Sequence, residues 1–311
     1  MTNVRAAPYS AMGDGATDDS DAIQRAIDKN RIVFLPKGRY KISRPLCLRA
    51  NSILFGVGSN FAELTPIAGA PAFSNATAAN PLVDTVDDAN TTTQLGFLQL
   101  RALIPGAYAL RWRAGRQSVV RNVSFHRWPF SGSANYAHVL IEGNGGGRWF
   151  NLAIGQASPS GPDYRAQLVQ GTRQPLAIYM FDPEHARGDV MTEFIDTANV
   201  SLYGVKGETM EIGNRESGTR PLIRFRNSRN FRLFGFGGII GAADGWPPYV
   251  LDLDNCTDFV LSNFGNQKDF GFFGDPEKWN AVRDTTPDGV VLTPGAEPFV
   301  LYRRGTPSGM R

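Results

Sequence analysis

A short strand-like segment returns along this chain at spacings near thirty residues. Asn122-Val123-Ser124-Phe125, Asn199-Val200-Ser201-Leu202, Asn230-Phe231-Arg232-Leu233 and Asp258-Phe259-Val260-Leu261 each join a polar residue to an apolar/any/apolar strand. The last two spacings are 31 and 28 residues, and the 77-residue gap before them leaves room for further copies, one near Arg148-Trp149-Phe150-Asn151-Leu152. Self-similarity at this period marks a solenoid, in which stacked units bury one continuous core. The polar residue suits a corner, where Asn tolerates left-handed backbone and bonds its own main chain.

A second strand precedes each copy: Leu110–Arg113, Val139–Glu142, Ile178–Phe181, Ile223–Arg226 and Leu251–Asp254. Alternation turns the first and third residues inward and leaves two outward columns. One reads Arg111, Leu140, Tyr179, Arg224, Asp252, and the other Arg113, Glu142, Phe181, Arg226, Asp254. Glycine (34) and proline (20) suit a chain of 311 residues built from many turns.

The opening carries the clearest local pattern. Ala22, Ile23, Ala26 and Ile27 form one face of a short helix over Asp19–Asp28, with acidic and hydroxyl residues before it for its N-cap. Ile32–Leu35, then Pro36-Lys37-Gly38, then Arg39–Ile42 reads as strand, turn, strand. The string GDGATDDSDAIQRAID followed by VFLPKGRYKIS resembles the start of the pectate-lyase-like β-helix superfamily, as in glycoside hydrolase family 55 and many phage tailspikes. The resemblance implies an all-β fold, a right-handed parallel β-helix capped at its N-terminal end by the helix, and a carbohydrate-active role. Repeat and resemblance together predict one domain over 1–311 with about eight rungs, 1–45 forming the cap and first rung and 275–311 a C-terminal cap or tail.

Lysine and arginine exceed aspartate and glutamate by 32 − 29 = 3, too little for a nucleic-acid footprint. No apolar run is long enough to span a membrane, and the first residues lack the apolar stretch of a signal peptide. The expected setting is extracellular or periplasmic, or a phage virion. Cys47 and Cys256 are 209 residues apart and lie several rungs from one another, so two free thiols are expected.

The densest chemistry lies in Tyr179–His185, Glu193–Asp196 and Tyr203–Glu208. A glycosidase needs two carboxyl groups flanking the scissile bond, and Glu193 or Glu208 is nominated as acid with Asp182 or Glu184 as partner. A lyase needs a base beside a uronate, for which Lys206 and His185 are the candidates. Substrate contacts are assigned to Arg113, Arg224 and Arg226, which match carboxylates, and to Tyr179, Trp112 and Trp128, whose rings suit sugars. The bland alternative is a cross-strand ion ladder, with Arg113 over Glu142 and Arg224 and Arg226 over Asp252 and Asp254.

No cofactor is expected. His126 and His138 lack zinc spacing, whereas calcium stays open because Asp84-Thr85-Val86-Asp87-Asp88 offers three carboxylates in a loop. Gly143–Arg148 lacks the Lys-Ser/Thr of a phosphate loop and reads as a turn. The preferred reading is a glycoside hydrolase acting on a polysaccharide or oligosaccharide. Its alternatives are a polysaccharide lyase or a non-catalytic glycan-binding spike, with an epimerase or transferase as a third. A monomer fits the enzyme, a homotrimer the spike.

Overall fold

The computed structural model describes residues 1–125, 136–154, 162–183, 189–207, 221–237, 249–264, 280–294 and 299–308. Among them the strands form two sheets, one of fourteen strands and one of ten, and consecutive turns pair in parallel. The chain is a right-handed parallel β-solenoid of about eight turns with one short N-terminal helix.

The helix, α1 (Ser20–Lys29), buries Ile23, Ala26 and Ile27 against the first turns. Asp19 does not cap it. Its carboxylate instead accepts the backbone N–H groups of Met12 (2.6 Å) and Gly13 (2.9 Å), which ties the Gly-Asp-Gly segment to the helix start. Asp18 takes the neighbouring role, accepting from the Ser20 N–H at 3.0 Å. Ile32–Leu35 and Gly38–Ile42 are strands that pair with the next turn rather than with each other, so the Pro36-Lys37 turn is a rung corner and not a hairpin.

Each rung runs from a strand of the ten-stranded sheet, through a tight corner, along a strand of the fourteen-stranded sheet, and back. Left-handed residues stack at the corners. Asn199, Asn230 and Asp258 all have φ between 52° and 64°, and Asn230 donates through Nδ2 to Oδ1 of Asn199 at 2.6 Å. Asn255 and Asn227 repeat the contact at 2.9 Å. Asn122 belongs to a different column. It is in register with Asn151, Met180 and Gly204, all at positive φ, where these four strands of the large sheet bend at mid-length. The Asn122 and Asn199 segments are therefore offset within their rungs, although their sequences match.

That bend corrects the outward columns. Ile178–Phe181 lies in Leu176–Pro183 of the fourteen-stranded sheet, and Met180 at φ 55° turns Phe181 into the core, where it is fully buried. The ten-stranded-sheet strand that precedes Leu176–Pro183 is Arg165–Gln170, and the one that precedes the Asn199 segment is Thr192–Ile195. Inside, Phe225 stacks on its register partner Phe194 (4.4 Å) within the ten-stranded sheet and on Phe231 (4.0 Å) of the fourteen-stranded sheet across the core.

Parallel winding stops near the C-terminus. Gly289–Pro294 runs antiparallel to Asn280–Thr286, and Phe299–Arg304 antiparallel to Thr257–Phe264, covering strand edges that would otherwise stay unpaired. Asp284 faces inward at this end, its carboxylate held by Arg304 (2.8 Å) and the Tyr302 hydroxyl (2.9 Å). Cys47 and Cys256 are both free thiols.

Candidate functional site

The outer face of the ten-stranded sheet carries a column in strict register: Asp84, Arg111, Leu140, Leu168, Glu193, Arg224, Asp252 and Arg283. Neighbouring rungs lie about 4.8 Å apart, close enough for guanidinium and carboxylate to join directly. Glu193 is 3% exposed and takes Arg165 on Oε2 (2.7 Å) and Arg224 on Oε1 (3.4 Å), with Arg226 at 3.6 Å. Asp252 is 1% exposed and takes Arg224 at 2.8 Å and both fork nitrogens of Arg283 at 2.8 Å. Burial alone pulls the Arg224 pKa down, yet hydrogen bonds and charge from Asp252, with Glu193 beyond, hold it above its ordinary value.

The ladder relocates several expected site residues. Both Glu193 oxygens are already taken by arginines and the side chain is buried, so it has no open face for a glycosidic oxygen. Arg113 turns to Asp84 (3.1 Å), one rung back, while Glu142 accepts from Gln170 (3.0 Å). Arg226 lies 3.8 Å from Asp254. Trp112 is not on a groove at all. It is fully buried, edge-on to Trp149 at 5.4 Å, and donates its indole N–H to the Gly146 carbonyl at 3.0 Å. The alternation within Leu110–Arg113 already turns it inward.

Asp84 lies in the strand Asn80–Thr85 and not in a loop, and it, Asp87 and Asp88 face separate partners. Asp84 holds Arg111 and Arg113, Asp87 accepts from Asn144 (2.9 Å) and Asp88 from the Asn90 N–H (2.8 Å). Hydrogen bonding by Asp84, against the pull of burial, raises the Arg111 pKa. Of the remaining nominations, Asp182 and Lys206 come together, 3.5 Å apart and both part-exposed, at the far ends of neighbouring strands. Glu184, His185, Glu208 and Trp128 lie outside the described residues, as does His126.

The other outward face is aromatic. Phe150, Tyr179, Tyr203 and Phe234 occupy one register column of the fourteen-stranded sheet. Their rings stack nearly parallel at 4.9, 4.8 and 5.5 Å. Tyr179 thus sits in a continuous aromatic ridge, with ring faces against neighbours and edges toward solvent. Sequence reasoning found Tyr179 and missed its partners, because the spacings of 29, 24 and 31 residues hide a common register.

Residues 1–161 match the model of the family described as rhamnogalacturonase A/epimerase, pectate lyase-like. The chain belongs to that family. This pectate-lyase-like chain is also 29% identical over 177 residues to a glucan 1,3-beta-glucosidase of Cochliobolus carbonum, covering 47% of the chain and 21% of that relative. It is 35% identical over 63 residues to the pre-neck appendage protein of Bacillus phage B103, covering 20% of the chain and 7% of the relative. Its fold matches the enzymatically active domain of tailspike protein 2 of bacteriophage CBA120 with a TM-score of 0.55 at 11% identity, over 86% of this chain and 44% of that one. The pectate-lyase-like chain therefore spans a small fraction of the curated relatives it matches. Its fold is shared by carbohydrate-active enzymes and by phage tailspikes. Among the described residues, no helix is long and apolar enough to cross a membrane.

Proposed function

We propose that this chain is a glycan-recognition module of the phage-appendage type, which holds a polysaccharide or oligosaccharide on the outer faces of its solenoid. The observation that carries the reading is the fate of the carboxylates on the ten-stranded sheet. Asp84, Glu193 and Asp252 are each engaged by two or more arginines and are nearly buried. Carboxylates held in this way brace the scaffold, whereas a glycosidase needs one carboxyl group free to protonate a leaving group and a second free to act opposite it. The similarity to a pre-neck appendage protein supports the same reading.

The test is affinity electrophoresis of the intact chain through gels containing neutral or acidic polysaccharides, with mass by light scattering alongside. Retention by at least one polysaccharide together with a trimeric mass is the expected result. A monomer that no polysaccharide retards contradicts it.

One observation favours a second reading, a hydrolase or lyase. Asp182 and Lys206 form a part-exposed pair at 3.5 Å, and Glu184, His185 and Glu208 lie within three residues of one or the other in sequence. The 29% identity to a glucan 1,3-beta-glucosidase points the same way. In that reading Lys206 or His185 serves a lyase as base, and Asp182, Glu184 and Glu208 serve a hydrolase. New reducing ends, or the ultraviolet absorbance of an unsaturated uronate, would separate the two chemistries and displace the binding-only reading.

A further inference from the structure

The outward column of the fourteen-stranded sheet holds a second aromatic group, nearer the N-terminus, and a break between the two. In register along neighbouring rungs come Phe34, Phe55, Gly96, Arg121 and Phe150. Phe34 and Phe55 lie 5.3 Å apart, and Arg121 caps the second stack with its guanidinium carbon 5.6 Å from the centre of the Phe150 ring. Gly96 is the one rung between these groups that has no side chain. A Cβ there would come within 2.9 Å of the Arg121 carbonyl oxygen.

The result is a notch of about 230 Å³ lined chiefly by Ile53, Phe55, Gln94, Phe97 and Arg121. Rungs about 4.8 Å apart put the Phe55 and Arg121 backbones about 10 Å from each other. The Arg121 stem leans over the Gly96 level, its Cγ 3.2 Å from where a Gly96 Cβ would lie, so the notch has the Phe55 ring as one wall and the Arg121 stem as the other. In the longer ridge each inner ring has both faces covered by neighbours, so it offers a ligand only an edge. Phe55 has Phe34 on one side and the notch on the other. Among the described residues no carboxylate pairs with Arg121, which is exposed, and Arg148 on the next rung is exposed too. Gln94 adds an amide at the rim.

We propose that this notch is a subsite for a single anionic pyranose, a sugar ring bearing a carboxylate or sulfate. Its apolar face lies on Phe55, its anionic group pairs with the Arg121 guanidinium, and a hydroxyl reaches the Gln94 amide. The apolar platform and uncompensated cation are complementary to such a ring and to no neutral hydrocarbon. The proposal rests on the glycan-binding reading above and deepens it by giving one ring of the ligand a place and a charge. The notch lies within the 1–161 span that matches the family, whereas Glu193, Arg224 and Asp252 of the ion ladder lie beyond it.

The test is a ligand-observed NMR titration of the intact chain with glucuronic acid, glucose and benzoate as probes, repeated on Phe55→Ala, Arg121→Gln and Gln94→Ala. Thermal melts confirm that each variant folds. Both Phe55 and Arg121 side chains point outward, so their removal leaves the core intact. Expected is glucuronic acid binding at least tenfold tighter than glucose, weakened about tenfold by Phe55→Ala, with Arg121→Gln erasing the preference for the acid. Benzoate binding more tightly than glucuronic acid overturns the assignment to a sugar. Acidic polysaccharide retained equally by the unmodified chain and by both Phe55→Ala and Arg121→Gln overturns the notch while leaving glycan binding elsewhere intact. Retention of no polysaccharide by the unmodified chain overturns both.

Discussion

Arg283 grips Asp252 with a two-pronged contact, Nε to Oδ1 and Nη2 to Oδ2, both at 2.8 Å. Because Asp252 also takes Arg224 from the other side, a single buried carboxylate joins three rungs. Removing it leaves two guanidiniums facing each other. Asp252→Asn is expected to lower stability by about 2–4 kcal/mol, less than for a wholly buried pair because Arg283 is partly exposed to solvent. Urea denaturation of the two proteins checks this, and Asp254→Asn, on a looser pair, serves as the comparison with a loss below about 1 kcal/mol.

Asn230 supplies both a left-handed backbone, φ 52°, and a hydrogen bond to Asn199. The two contributions separate by substitution. Asn230→Gly keeps the backbone and loses the bond, at a cost of about 1 kcal/mol, whereas Asn230→Val loses both, at about 2–3 kcal/mol. Equal melting temperatures for the two variants would show that left-handed geometry is not what the position selects.

Alkaline pH is expected to loosen the fold. Burial pushes the Cys256 thiol from its ordinary 9.0 up to about 11, and the hydroxyls of Tyr40, Tyr108 and Tyr302 from 10.0 up to about 12, in each case mainly by desolvation of the anion. These groups ionise more readily in the unfolded chain. Their contribution is complete below about pH 9 and is lost as pH rises through the folded values toward about 12. Denaturation midpoints should fall steadily over that window, and Cys256→Ala should reduce the slope at its lower end.

The thiols should divide by access. Cys47 is exposed and Cys256 buried, although desolvation raises both above the ordinary thiol value. One equivalent of a disulfide reagent is expected to react at mildly alkaline pH in the native protein and two in denaturant. Rapid reaction of both thiols in the native state would contradict the packing around Cys256.

The solenoid was legible because its repeats are periodic and because the Gly-Asp-Gly segment and helix precede the first rung, as α1 does here. Register was not. Ile178–Phe181 and Ile223–Arg226 both read as apolar/any/apolar, but the first belongs to the large sheet, where Met180 bends the strand and reverses the direction of Phe181. Residue type alone put Trp112 beside a sugar, although its alternation with Arg111 and Arg113 buries it. The ion ladder was anticipated for Arg224 with Asp252 and for Arg226 with Asp254, and misassigned for Arg113, whose partner lies one rung earlier. The notch at Gly96 was hidden because Phe55, Gly96 and Arg121 are separated by 41 and 25 residues, and unequal rung lengths conceal neighbours that only pairing reveals.

The most direct test of the account is a time course of product formation by the intact chain on whichever polysaccharide retains it best. The expected result is persistent retention with no rise in reducing ends and no unsaturated uronate. Steady release of either product, abolished by Asp182→Asn or Lys206→Met, would contradict it and establish an enzyme in place of a binding module.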